Sequence, residues 1–175
     1  MRRRTAVLTL VLVGAVSVAF ANGLRHWRAA LRGLEEVPSV STVATGKFSA
    51  EISDDETTVS WKLSYEDLEG TVTQAHIHFA DRDVNGGISV FLCSNLGNGP
   101  AGTQPCPPPP ATISGTFSAV DVIGPAGQGI AAGELAELIK AIRARHTYAN
   151  VHSDLFPGGE ARGQIVPGRH QHHED

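Results

Sequence analysis

Cysteine is scarce in this 175-residue chain: Cys93 and Cys106 are the only two, and no C-x-x-C spacing is present. That argues against a multi-disulfide scaffold or a cysteine-rich zinc site. Apolar runs long enough to span a bilayer are missing after residue 22. An excess of positive charge is missing too, since 14 basic side chains face 18 acidic ones and leave a net charge of −4. With no basic stripe, nucleic acid is not expected as a partner. The glycines of Gly124-Pro125-Ala126-Gly127-Gln128-Gly129 are not followed by Lys-Ser/Thr, so no phosphate-binding loop is read there. Hydrolysis has no clear signature either: there is no nucleophile elbow, and Ser153-Asp154 beside His152 is only sequence adjacency. The expectation is a protein that binds rather than one that catalyses.

What is present begins with a leader. Arg2-Arg3-Arg4 precedes an apolar stretch over residues 5–18, and Ala19-Phe20-Ala21 supplies small residues at both positions a signal peptidase reads. We read residues 1–21 as a signal peptide cut after Ala21, the apolar stretch being short of the roughly 20 residues that a membrane anchor needs. Membrane contact is then expected only before cleavage, and the mature chain is expected to be secreted or periplasmic. Its 154 residues make one domain, long enough to bury a core. Without the three leader arginines, 11 basic side chains face 18 acidic ones, a net −7. Export makes an oxidised Cys93–Cys106 pair the natural expectation, two thiolate ligands being the other reading.

The body alternates with the period of two that marks half-buried strands. Phe48, Ala50 and Ile52 alternate with polar neighbours, as do Val59, Trp61, Leu63 and Tyr65, and Asp54-Asp55-Glu56 turns the chain between them. Strands are also expected around residues 75–79, 88–92, 113–119, 148–152 and 161–166, with Pro107 to Pro110 as loop. Residues 27–34 read as a strand or a helix. Leu135, Leu138, Ile139 and Ile142 fall at helical spacing, which predicts one short helix near 134–145. The fold class is therefore all-β, an antiparallel sandwich or barrel with one short helix. Residues 167–175, with His170, His172 and His173, are read as a disordered tail.

Ala75-His76-Ile77-His78-Phe79 places His76 and His78 on one face of a strand, and Tyr148-Ala149-Asn150-Val151-His152 does the same for Tyr148, Asn150 and His152. A turn at Pro157-Gly158-Gly159 would bring Glu160, Arg162 and Gln164 onto that face. Two readings stay open. His76, His78 and His152 can hold copper or zinc if their strands converge. Alternatively they belong to a hydrogen-bonded polar layer with Asn150, Glu160, Arg162 and Gln164. Asp81, Asp83 and Asn85 sit on a loop that would offer contacts to an extracytoplasmic protein or ligand. The Asp81-Arg82-Asp83-Val84-Asn85-Gly86 start of that loop lacks the late glutamate of a calcium loop, Leu92 standing in its place.

Leu34-Glu35-Glu36-Val37-Pro38, Ala75-His76-Ile77-His78, Asn85-Gly86, Tyr148-Ala149-Asn150-Val151-His152 and Pro157-Gly158-Gly159-Glu160-Ala161-Arg162-Gly163-Gln164 together resemble the CHRD domain, over about residues 27–166. Cys93-Ser94-Asn95-Leu96-Gly97-Asn98-Gly99-Pro100 resembles a loop of its bacterial members, while Ser39 stands where many members have a second proline. The resemblance implies an immunoglobulin-like barrel or sandwich outside the cytoplasm and implies no reaction. A second resemblance, to copper/zinc superoxide dismutase, makes His76, His78 and His152 look like its copper ligands and Arg162 like its anion-guiding arginine. The bridging histidine of that family has no counterpart, since the loop after Asp81 holds no histidine before His146. Zinc binding of that type and efficient dismutation are therefore not implied.

Overall fold

Alternation of apolar and polar side chains builds the first three strands. In β1 (His26–Arg32) Trp27, Ala29 and Leu31 are buried while Arg28, Ala30 and Arg32 are exposed. In β2 (Thr45–Ile52) and β3 (Thr58–Glu66) the inward residues are Phe48, Ala50 and Ile52, then Val59, Trp61, Leu63 and Tyr65. The segment that read as either helix or strand is thus a strand. It ladders with β2 in continuous register from His26↔Glu51 to Arg32↔Thr45, and only period two sends Trp27, Ala29 and Leu31 inward together.

The computed structural model describes residues 25–168. The expected signal peptide over 1–21 and residues 169–175 of the expected tail lie outside them. Pro167 and Gly168, at the start of that tail, are paired: Pro167 faces Trp27, and the Gly168 N–H donates to His26 O at 2.7 Å. The further elements are β4 (Val72–Phe79), β5 (Gly87–Ser94), β6 (Ala111–Ser118), α1 (Leu135–Arg143), β7 (Thr147–Ser153), β8 (Ala161–Gln164) and β9 (Val166–Pro167).

All the strand pairs are antiparallel, in the order β5-β4-β7-β8-β1-β2-β3-β6, with β9 added to β1. The sheet rolls into a nearly closed barrel. At the seam between β5 and β6 the Gln104 amide donates to Leu92 O at 3.2 Å and to Ser114 O at 3.3 Å. Cys93 and Cys106 form a disulfide beside it. The interior is one apolar cluster running from Trp27, Phe48 and Leu63 to Ile77 and Val151, and α1 adds Leu135, Leu138, Ile139 and Ile142 to it. Among the described residues no helix is long and apolar enough to cross a membrane.

β7 and β8 differ from the first three strands. Every one of their residues is buried, so both faces are covered. One face joins the apolar core through Ala149, Val151 and Ala161; the other carries polar side chains beneath loops.

Candidate functional site

The outward face of β4 and β7 brings the three histidines together. Register sets His76 opposite Asn150, His78 opposite Tyr148 and Gln74 opposite His152, so the alternate residues share one surface. His76, His78 and His152 each offer a ring nitrogen, and these atoms lie within 4.8 Å of one another. All three side chains are buried.

Main-chain carbonyls fix two of the rings. A carbonyl only accepts, so His78 Nδ1–H donates to Gly86 O at 2.9 Å and His152 Nδ1–H donates to Pro157 O at 3.0 Å. Each of these rings then presents an unprotonated Nε2. His76 Nδ1 lies 3.2 Å from His152 Nε2 and donates its proton there. Asn150 Oδ1 lies 3.0 Å from the same nitrogen. His76 Nε2 and His78 Nε2 remain buried without a partner among the described residues.

Burial keeps these rings neutral. It pushes His76 down to about 2, with the charges of His152 and His78 acting in the same direction. It pushes His78 down to about 4, against the Gly86 bond, and lowers His152 against the Pro157 bond. Neutral imidazole is the form that ligates a metal. Carbonyls on the far nitrogens, as here, are the usual outer partners of ligating histidines.

The expected polar layer divides into separate tasks. Only Asn150 bonds to a histidine. Arg162 lies opposite Asn150 in register, but its guanidinium donates to Asp81 O, Val84 O and Asn85 Oδ1 at 2.8–3.1 Å and sits 3.4 Å from the Tyr148 ring centroid. It is buried with those donors engaged, so it ties down the 81–85 loop where the second resemblance would have had it guiding an anion. Gln164 donates to Ala80 O and Arg145 O. Glu160 accepts from the Glu69 N–H and from Thr42 Oγ1. These side chains are long enough to reach the covering loops, and the loops hold the unpaired carbonyls and N–H groups.

The loop residues are placed accordingly. Asp81 and Asp83 are exposed, and the Asp81 carboxylate pairs with His146. Asn85 is a staple, accepting from Arg162 and donating to Val37 O at 2.8 Å. Tyr148, on the strand face it shares with Asn150 and His152, stacks on His78 with ring centroids 4.7 Å apart. Glu36 went unread in the sequence. Glu36 is buried, and its carboxyl is pushed up to about 7 by burial, with the Arg162 charge and the Asn150 side chain opposing. The hint was its place between exposed Leu34 and the Val37-Pro38 step. Gly159, at φ 129°, makes room for it: a Cβ there would lie 2.4 Å from Glu36 Oε1.

A nearly closed antiparallel barrel with a buried histidine layer under pinned loops defines a rigid β-scaffold of the binding or structural kind. The chain belongs to the CHRD domain family, whose model matches residues 27–165. No curated protein and no solved structure matches it. The likeness to superoxide dismutase therefore rests on the histidine pattern alone. The Cys93–Cys106 disulfide fits an oxidising compartment.

Proposed function

We propose that this CHRD domain works outside the cytoplasm as a non-enzymatic binding module, and that its histidine layer holds a copper or zinc ion. The observation that carries the reading is the triad itself: one ring nitrogen from each of the buried His76, His78 and His152 lies within 4.8 Å of the others, and His78 Nε2 has no partner among the described residues. Donors bonded to one ion at about 2.0–2.1 Å stand roughly 3.4 Å apart. The His76 Nδ1–His152 Nε2 contact of 3.2 Å already meets that spacing, and a ring nitrogen of His78 lies within 4.8 Å. Loading exchanges the His76–His152 hydrogen bond for metal bonds. The leader and the disulfide support placement outside the cytoplasm.

The test is metal content by mass spectrometry after copper or zinc loading, on protein carrying His170→Ser, His172→Ser and His173→Ser. About one ion per chain, lost in His76→Ala/His78→Ala while the barrel stays folded, is the expected result. Folded protein that takes up neither ion would sink the metal reading. The module would then act through its loops, and the exposed Asp81 and Asp83 become the residues to mutate against an extracytoplasmic protein partner.

A further inference from the structure

The strands away from the histidines carry a feature that composition hides. Arg28 and Arg32 on β1, Lys47 on β2 and Lys62 on β3 all point outward and are exposed. Register gathers them. Arg28 pairs with Ser49, which pairs with Lys62; Ala30 pairs with Lys47; Arg32 pairs with Thr45. With strands about 4.8 Å apart and alternate residues about 7 Å apart, these four cations cover roughly 10 by 14 Å. Together with Arg82 they line a shallow trough of about 960 Å³.

None of the four sheet cations has a carboxylate within ion-pair distance among the described residues. The acids at the rim are engaged elsewhere: Glu35 with Arg82, Glu51 with Arg25, and Glu66 with the Thr45 hydroxyl. In a chain of net charge −4, this is a concentrated field of opposite sign. Long cationic side chains left unpaired on a flat sheet hold charge ready for an anionic partner, and arginine forks match carboxylates in particular.

We propose that the outer face of β1, β2 and β3 binds a linear polyuronate, an acidic polysaccharide with one carboxylate per sugar. The charges are spread in successive rows and not focused on one point, which suits a repeating polymer over a single phosphate or a densely sulfated chain. The floor between them is Ala30, Ser49, Ser64 and Thr45, which offers small side chains and hydroxyls to a sugar ring. Nucleic acid fits less well. Stacking platforms for bases are aromatic, and the aromatics of these strands, Trp27, Phe48, Trp61 and Tyr65, are turned into the core. This surface includes none of the histidines, so it stands or falls independently of the metal reading.

Titration of the full chain with an alginate hexasaccharide, followed by calorimetry at about 50 mM and about 300 mM salt, tests it. Binding is expected at the lower salt and should weaken about tenfold at the higher. Lys47→Glu/Lys62→Glu should weaken it at least tenfold with an unchanged urea midpoint, while Lys140→Glu on α1 leaves it intact. The proposal is overturned by no binding at low salt, by equal binding of neutral dextran, or by undiminished binding in the double variant. Tighter binding of a single-stranded DNA of matched charge would overturn it in favour of nucleic acid.

Discussion

Glu36→Gln separates two opposed proton equilibria under the same loops. Burial pushes the Glu36 carboxyl from 4.5 up to about 7. The folded state thus holds this proton more tightly than the unfolded chain does. Its contribution to stability is complete below pH 4.5 and is lost as pH rises through 7. His76 and His78 run the other way, pushed from 6.5 down to about 2 and about 4. Their contribution is complete above pH 6.5 and is lost as pH falls toward those lower values. Between pH 7 and pH 5 each of these histidines costs about 2 kcal/mol, while Glu36 offsets about 2 kcal/mol. His152, also lowered, adds to the loss. The parent protein should therefore lose roughly 2 kcal/mol or somewhat more over this interval, and Glu36→Gln roughly 4 kcal/mol or more. Urea unfolding in the presence of a chelator, followed by fluorescence of the buried Trp27 and Trp61, measures both. Identical pH dependence in the two proteins would refute the buried, proton-holding Glu36. A flat response in both would refute the buried neutral histidines as well.

Replacing Cys93 and Cys106 by serine opens a loop with a sequence separation of 13 and should cost about 3 kcal/mol, read as a lowered urea midpoint. Gly163→Ala should cost about 1–3 kcal/mol, because its Cβ would lie 2.3 Å from Ala30 O where β8 approaches β1; an unchanged melting temperature would contradict that packing. Arg162→Met removes the donor to Asp81 O, Val84 O and Asn85 Oδ1 and should cost roughly 2–4 kcal/mol. Amide exchange should then speed up in residues 81–87 before the rest of the barrel; uniform acceleration would mean that Arg162 supports the whole fold and not that loop.

Much of the fold was legible because half-buried strands advertise themselves. β2 and β3 alternate cleanly, with one side on the core and the other in water. The apolar spacing of α1 was equally plain. β1 stayed ambiguous because Trp27-Arg28-Ala29-Ala30-Leu31-Arg32 is short and contains good helix formers, and only pairing with β2 decides it. The shared face of His76, His78 and His152 followed from strand parity. What those residues touch did not, because it depends on loops distant in sequence: the Gly86 and Pro157 carbonyls set the tautomers, and Arg162 bonds to residues about 80 positions away. The cationic face escaped for the same reason. Arg28, Arg32, Lys47 and Lys62 are scattered along three strands, and local charge runs reveal nothing until register aligns them.

Three of the segments on which the resemblance to the CHRD domain rests converge on one construction. Leu34-Glu35-Glu36-Val37-Pro38 sends Glu36 under the loops and offers Val37 O to Asn85. Asn85-Gly86 supplies an acceptor for Arg162 and the carbonyl that orients His78. The segment 157–164 supplies the carbonyl that orients His152, the Gly159 space for Glu36, the Glu160 carboxylate that holds Glu69 and Thr42, and Arg162 itself. Each of these three segments contributes less to the barrel's apolar core than to the cover over β4 and β7. That cover removes the histidines from water, and desolvation is the leading cause of their neutral state. Sheet and loops therefore act together: strand parity puts three imidazoles on one face, and the cover sets their tautomers and keeps them unprotonated. A barrel stripped of the cover would keep its alternating strands and lose the fixed tautomers of His78 and His152.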